Sequence, residues 1–215
     1  MEQLETTILL IDDHPMLRNG VKQLISSASQ FHVIGEAGTG QEGIIQAEQL
    51  EPDIILLDIN LHDISGLDVI LALREKNITS RIIMFTVSDD KQDIITALKN
   101  GADGYLLKDM EPEDFLLSLQ KVADGKVMMN ETISQIIFNH IRNKEDQEDA
   151  HDLNLLTPRE QEIFDLLTQG LSNKLIGRQL NIMDSTVKVH VKSLLKKLNF
   201  KSRMEITVWY LQNKN

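Results

Sequence analysis

The chain has 215 residues, enough for one large or two modest domains with a proper core. It holds no cysteine, which excludes disulfides, thiolate metal centres and cysteine nucleophiles and fits a reducing cytoplasm. No run approaches the roughly 20 apolar residues of a membrane span, and the opening MEQLETT lacks the basic and apolar regions of a signal peptide, so a cytoplasmic protein with no membrane partner is expected. The net charge of −11 conceals an asymmetry: residues 1–152 carry 12 Lys and Arg against 28 Asp and Glu, a net of −16, whereas residues 153–215 carry 10 against 5, a net of +5. The basic part suits a polyanionic partner, and the acidic part would repel one.

Through residues 1–125 strand and helix signals alternate five times. Strands are expected at 8–12, 32–37, 54–58, Arg81–Thr86 and Gly104–Leu107. The run Ile54-Ile55-Leu56-Leu57 is apolar without alternation, as suits a strand buried on both faces of a parallel sheet. The first helix places Leu17, Val21, Leu24 and Ile25 on one face. The next three are read at 41–50, 67–76 and 90–99. The fifth starts near Pro112, with Glu111, Glu113 and Asp114 at the positive end of its dipole. Five βα units imply an α/β fold, a doubly wound five-stranded parallel sheet with right-handed crossovers and helices on both faces.

Residues 126–152 break this pattern. A short helix is expected at 132–141, followed by an acidic run, 143–152, too polar to order itself and read as a linker. From Leu155 onward the signals are all helical. Thr157, Pro158 and Glu160 form an N-cap, a first-turn proline and a capping-box partner, and the helix they open stops at Gly170. Ser172 caps a second helix at Asn173–Leu180, a third is expected at about 185–198 and a fourth at 203–212. Two short helices joined by a tight turn, the second one basic, make a helix-turn-helix within an all-α four-helix domain at 153–215.

The sheet topology makes a claim about polar residues. Asp12 and Asp13 end strand one, Asp58 ends strand three, Thr86 ends strand four and Lys108 follows strand five, so all five gather at the carboxyl rim, where ligands bind in such sheets. Taken alone, Asp58 is a strand-end residue that starts a turn; the set is hard to assign to packing. Like charges 4 Å apart repel by about 4 kcal/mol at an effective dielectric near 20, so the acids call for a proton or a cation. An all-oxygen pocket favours Mg²⁺. Mg²⁺ beside a carboxylate nucleophile, an amine and a hydroxyl is a phosphoryl-transfer arrangement that yields an aspartyl phosphate. A Mg²⁺-dependent phosphohydrolase is the rival chemistry, but it needs a base and a leaving-group acid for which no residues are spare.

In the third helix of the basic domain, Lys188 and Lys192 are four residues apart with Val189 beside them, on a helix opened by Thr186. Amines donate to guanine edges or phosphates, and valine contacts a thymine methyl. Lys201 and Arg203 suit phosphates. His190 lies close to this face or packs half-buried beneath it. The bland alternative is a solvated lysine face.

The residues Asp12-Asp13, Asp58, Thr86, Lys108 and Gly101-Ala102-Asp103-Gly104-Tyr105 resemble the receiver domain of bacterial two-component response regulators, over nearly all of 7–125. The segments LTPRE, GLSNK and STVKVH resemble the LuxR/FixJ class of four-helix DNA-binding domains, and the chain as a whole is similar to nitrate/nitrite response regulators. The resemblance implies a flavodoxin-like receiver with Asp58 as phosphoacceptor. Mg²⁺ is then held by Asp13, Asp58 and the backbone carbonyl of Asn60, with Asp12 acting through water. Thr86 and Lys108 hold the phosphoryl group, and Tyr105 is an aromatic switch. It implies base contacts by Lys188, Val189 and Lys192, a sensor histidine kinase as donor, and a phosphorylated homodimer on paired half-sites in double-stranded DNA. The protein is then not an enzyme beyond its own phosphoryl transfer and dephosphorylation.

The expected organisation is a receiver at 1–125, a linker with a short helix at 126–152 and a DNA-binding domain at 153–215. A constitutive DNA-binding regulator with a non-switching receiver is the rival reading. Three departures from the family pattern stand out: His62 where proline is usual, Met183 where a capping Ser or Thr is usual, and Gly177 in place of alanine. The last two each predict a loss of about 1 kcal/mol in the DNA-binding domain.

Overall fold

The computed structural model describes residues 5–125 and 151–213. The helix expected at 132–141 and most of the acidic linker lie outside the described residues. In chain order the receiver-like part runs β1 (Thr6–Ile11), α1 (Pro15–Ser26), β2 (Phe31–Ala37), α2 (Gly40–Leu50), β3 (Ile54–Leu57), α3 (Gly66–Glu75), β4 (Arg81–Thr86), α4 (Lys91–Asn100), β5 (Gly104–Leu107) and α5 (Pro112–Ala123). A 3₁₀ turn at Leu153–Leu155 leads into α6 (Pro158–Thr168), α7 (Asn173–Leu180), α8 (Asp184–Lys197) and α9 (Arg203–Asn213).

The five strands are parallel in the order β2-β1-β3-β4-β5. Their period of two divides each apolar run between two cores. Leu9, Ile11, Ile55 and Leu57 face α2, α3 and α4 through Ile44, Ala47, Val69, Ile70, Leu73, Ile94 and Ala97. Ile8, Leu10, Ile54 and Leu56 face α1 and α5 through Val21, Ile25, Phe115, Leu119 and Val122. Both faces are therefore dry, which is why β3 and β4 are buried at every residue.

The expected five-stranded sheet and four-helix C-terminal domain are both present. The strands end one residue earlier than read, at Ile11 and Leu57, so Asp12 and Asp58 are the first residues beyond the ladder. The C-terminal helices enclose a separate core of Ile163, Phe164, Leu167, Ile176, Val187, Val191, Leu194 and Ile206. The capping box at Thr157 and Glu160 forms as expected.

Candidate functional site

The carboxyl ends of β1, β3 and β5 converge. Asp58 N donates to Ile11 O at 2.9 Å and Lys108 N donates to Thr86 O at 2.9 Å, so strand pairing continues one residue into the polar rim. Asp58 is 2 % exposed and Asp12 7 %. Lys108 Nζ, itself buried, lies 2.7 Å from Asp12 Oδ2 and 2.7 Å from Asp58 Oδ2. One ammonium thus serves two carboxylates, and the balance is still negative. Asp58 Oδ1 and Asp13 Oδ1 are buried without a hydrogen-bond partner. His14 Nδ1 is 2.6 Å from that Asp13 oxygen but out of line for a hydrogen bond, and His62 Nδ1 contacts the other oxygen, Oδ2. Ligand atoms of Asp12, Asp13, His14 and Asp58 all lie within 4.8 Å of one another. A buried carboxylate oxygen with no donor loses its hydration without replacement. Such a group of oxygens can hold a hard divalent cation, which fits the expected donor set.

The two switch candidates share one neighbour. Thr86 is fully buried at the end of β4, and its Oγ1 accepts from Ser88 N at 3.3 Å. Tyr105 is turned inward, 4 % exposed, and its hydroxyl donates to Ser88 O at 2.8 Å. Burial pushes the Tyr105 phenol up to about 12, against the lowering influence of the Ser88 side chain. Ser88 was not singled out in the sequence, although a hydroxyl two residues past Thr86 was a visible signal. Asn60 lies exposed in the loop after β3. Gly66 closes this loop: a Cβ there would come 2.1 Å from Asp58 O.

On the second candidate surface, Thr186, Val189 and Lys192 stand exposed on α8, and His190 is half-buried. Lys188 is already engaged: its Nζ donates to Glu51 O at 2.6 Å, across to the receiver-like part. Lys201 Nζ reaches Lys99 O at 3.3 Å. Arg203 departs most from expectation. It is not a free surface cation but is buried, donating to Asn173 Oδ1 at 2.8 Å and to Thr79 O at 3.4 Å. Burial, with Arg81 and Arg74 nearby, lowers its guanidinium to about 9.

These contacts fall on the amino-terminal edge of the sheet, opposite the acidic pocket. Lys174 pairs with Asp53 at 2.7 Å and also donates to Glu5 O. Burial alone would raise the Asp53 carboxyl; the Lys174 and Thr7 hydrogen bonds more than offset this and hold it below its ordinary value. Arg81, the first residue of β4, donates to Val122 O at 2.5 Å and to Gly170 O at 3.0 Å. Gly125 and Gly170, both at positive φ, meet backbone to backbone, and a Cβ on Gly125 would lie 1.5 Å from Gly170 O. Nothing in the sequence spacing marks Asp53, Arg81 or Gly125 as partners of the C-terminal domain.

The fold and the two surfaces define a receiver domain joined to a helix-turn-helix domain. Residues 8–120 match the response regulator receiver domain family, and residues 154–210 match the bacterial regulatory proteins of the luxR family. The chain belongs to the two-component response regulators with a LuxR-type DNA-binding domain, which are transcription regulators. It is 53 % identical to the nitrate/nitrite response regulator protein NarL of Escherichia coli K12, over 99 % of this chain and 98 % of that one. Against NarP of the same organism it is 42 % identical, over 96 % and 95 %. The crystal structure of the response regulator ChrA of a haem-sensing two-component system superposes with a TM-score of 0.52 at 27 % identity, covering 98 % of both chains.

Proposed function

We propose that Asp58 is the phosphoacceptor of this regulator and that its phosphorylation frees α8 to bind DNA. The observation that carries this is Asp58 itself: buried, held by Lys108 through one oxygen and with the other oxygen unpartnered. The Asp58 carboxylate attacks the phosphorus of a phosphohistidine on a sensor histidine kinase. An O–P bond forms as the P–N bond breaks, and its electron pair returns to the imidazole nitrogen. Lys108 moves its ammonium from shared service of Asp12 and Asp58 to the phosphoryl oxygens. Thr86 turns its hydroxyl toward the same group, and the Ser88 link lets Tyr105 follow. Asp12, Asp13, Asp58 and the carbonyl of Asn60 would hold Mg²⁺, which supplies charge neutralisation at the phosphoryl oxygens when bound.

In the docked arrangement Lys188 is spent on the Glu51 carbonyl, so the helix cannot present it to a base edge. Undocked, Thr186, Lys188, Val189, His190 and Lys192 enter the major groove, Lys201 and Arg203 take phosphates, and two copies bind paired half-sites. The domain limits are those read from sequence: 1–125, 126–152 and 153–215. Similarity to NarL and NarP over nearly the whole chain supports a nitrate/nitrite-responsive role in the cytoplasm and no enzymatic activity beyond the chain's own phosphoryl chemistry.

DNA affinity of the intact chain with Mg²⁺ tests this, measured with and without beryllium fluoride, alongside Asp58→Ala. A gain confined to the wild type is expected. Equal tight binding in all three samples would leave a DNA-binding protein whose receiver does not gate it.

A further inference from the structure

We infer that the junction of the two domains holds a binding site for a small tetrahedral dianion of the inorganic phosphate class, seated between Arg81 and Arg203. Arg81 opens β4 and Arg203 opens α9, so each domain supplies one guanidinium. Both are more than nine-tenths buried, at 8 % and 9 % exposure. The two carboxylates that act on Arg203 are committed to other cations: Asp103 pairs with Arg74 at 2.7 Å and Asp53 with Lys174 at 2.7 Å. Those two pairs cancel, which leaves Arg81 and Arg203 as two buried positive charges with no carboxylate of their own. Burial, and then the charge of Arg81, bring the Arg203 guanidinium down to about 9. Arg203 spends only Nη2 on protein oxygens, so its Nε and Nη1 have no partner among the described residues. Arg81 gives one bond from each Nη, to Val122 O and Gly170 O, and none from Nε.

Both guanidiniums line one cavity of about 330 Å³, partly open to solvent, together with Ser172, Asn173 and Lys174. Ser172 and Asn173 are the N-cap and first residue of α7, so the positive end of that helix borders the same space. Asp53 on its wall already faces Lys174, and Asp103 lines the adjoining cavity and not this one. Buried like charges repel, and main-chain carbonyls replace only part of the hydration they have lost. The planar N–H fork of arginine matches a pair of oxygens on a tetrahedral oxyanion. Two such forks without carboxylates call for two negative charges, which selects a dianion over chloride. An ion held there ties β4 to α9 across the junction.

Calorimetric titration of the full chain with inorganic phosphate tests the assignment, in slightly alkaline buffer without Mg²⁺ and at fixed ionic strength. The samples are wild type, Arg81→Gln, Arg203→Gln, Arg203→Lys and, as a control, Lys196→Gln, an exposed cation of the same basic domain. One saturable site is expected in wild type, weakened about tenfold or more by either glutamine variant at the arginines. Arg203→Lys keeps the charge and most of the packing, so it guards against a glutamine variant that does not fold; it should bind phosphate about threefold or more weakly, because the fork is lost. Lys196→Gln should stay within about twofold of wild type. Absence of saturable binding in wild type overturns the inference without recourse to any variant. Wild-type affinity in the folded arginine variants overturns it as well, and so does a loss in Lys196→Gln equal to theirs, which would mean diffuse attraction to the basic domain.

Discussion

Glu160 shows how much one side chain can hold. Its Oε2 accepts from Thr157 N at 2.8 Å and from Lys197 Nζ at 2.6 Å, and its Oε1 accepts from Ser193 Oγ at 2.7 Å. It therefore caps α6 and ties it to α8. Burial raises its carboxyl, but these donors outweigh burial and bring it down to about 2. A lowered folded-state value means stability that is fully present above the ordinary 4.5 and lost as pH falls from there towards about 2. Glu160→Gln is expected to lower the melting temperature of the C-terminal transition at pH 7 and to flatten its loss between pH 5 and 3, read by calorimetry. At the other pocket, Lys108 now supplies the charge that Mg²⁺ would bring to Asp12 and Asp58. Lys108→Ala should bind Mg²⁺ about five- to tenfold more tightly, an effect of roughly 1 kcal/mol at a partly screened site, yet lose the beryllium fluoride gain in DNA affinity.

At the scale of elements, the turn between α7 and α8 separates two expectations that the sequence placed together. Met183 is the N-cap of α8 and makes no side-chain cap; it is 72 % exposed, so nothing hinders replacement. Met183→Thr should gain about 1 kcal/mol in a thermal melt. Gly177 is different. A Cβ there would lie 2.7 Å from Ile182 O, in the turn where Ile182 N donates back to Gly177 O. The expected gain from Gly177→Ala is therefore withdrawn: the propensity benefit of about 1 kcal/mol is consumed by widening the turn, and the melt should show no net gain. Helix propensity is a local property that a sequence displays, whereas the closeness of a turn belongs to the packed pair. The same distinction explains what else was legible. Continuous apolar strands and acids at strand ends are visible along the chain, so the sheet, its order of units and the pocket's acid set could be read. His62 was visible as a departure, but its reach to Asp13 was not, because loop geometry has no period.

For the whole molecule, the chemistry and the docking contacts occupy opposite edges of one sheet. β4 carries Arg81 at one end and Thr86 at the other, about 17 Å apart at strand rise; Asp103, just ahead of β5, and Lys108, just after it, repeat the arrangement. In the proposed switch, a shift at the pocket would be carried along the strands to the residues that grip the C-terminal domain. That grip has one point without slack, the Gly125–Gly170 backbone contact. Gly125→Ala is strained by its positive φ and meets Gly170 O, so it should hold the domains apart. The variant is expected to bind DNA without beryllium fluoride nearly as well as the activated wild type; affinity that still depends on the mimic would place the restraint elsewhere. Asp53→Asn, which removes the charge facing Lys174, should act in the same direction with smaller effect.

Apart from Lys174, which pairs with the Asp53 carboxylate, the cations that reach across to the receiver find main-chain oxygens there: Lys188 takes the carbonyl of Glu51, Lys201 that of Lys99 and Arg203 that of Thr79. Carbonyl oxygens on an acidic surface imitate the phosphate oxygens of a duplex, which makes the receiver an internal decoy. Decoy and duplex differ in their counterions. DNA binding releases condensed cations and weakens steeply with salt, whereas neutral carbonyls hold none. Rising ionic strength should therefore loosen the Lys174–Asp53 pair but leave the carbonyl contacts in place while it disfavours the duplex, so the proposed gate should be stricter in a salty medium than in a dilute one.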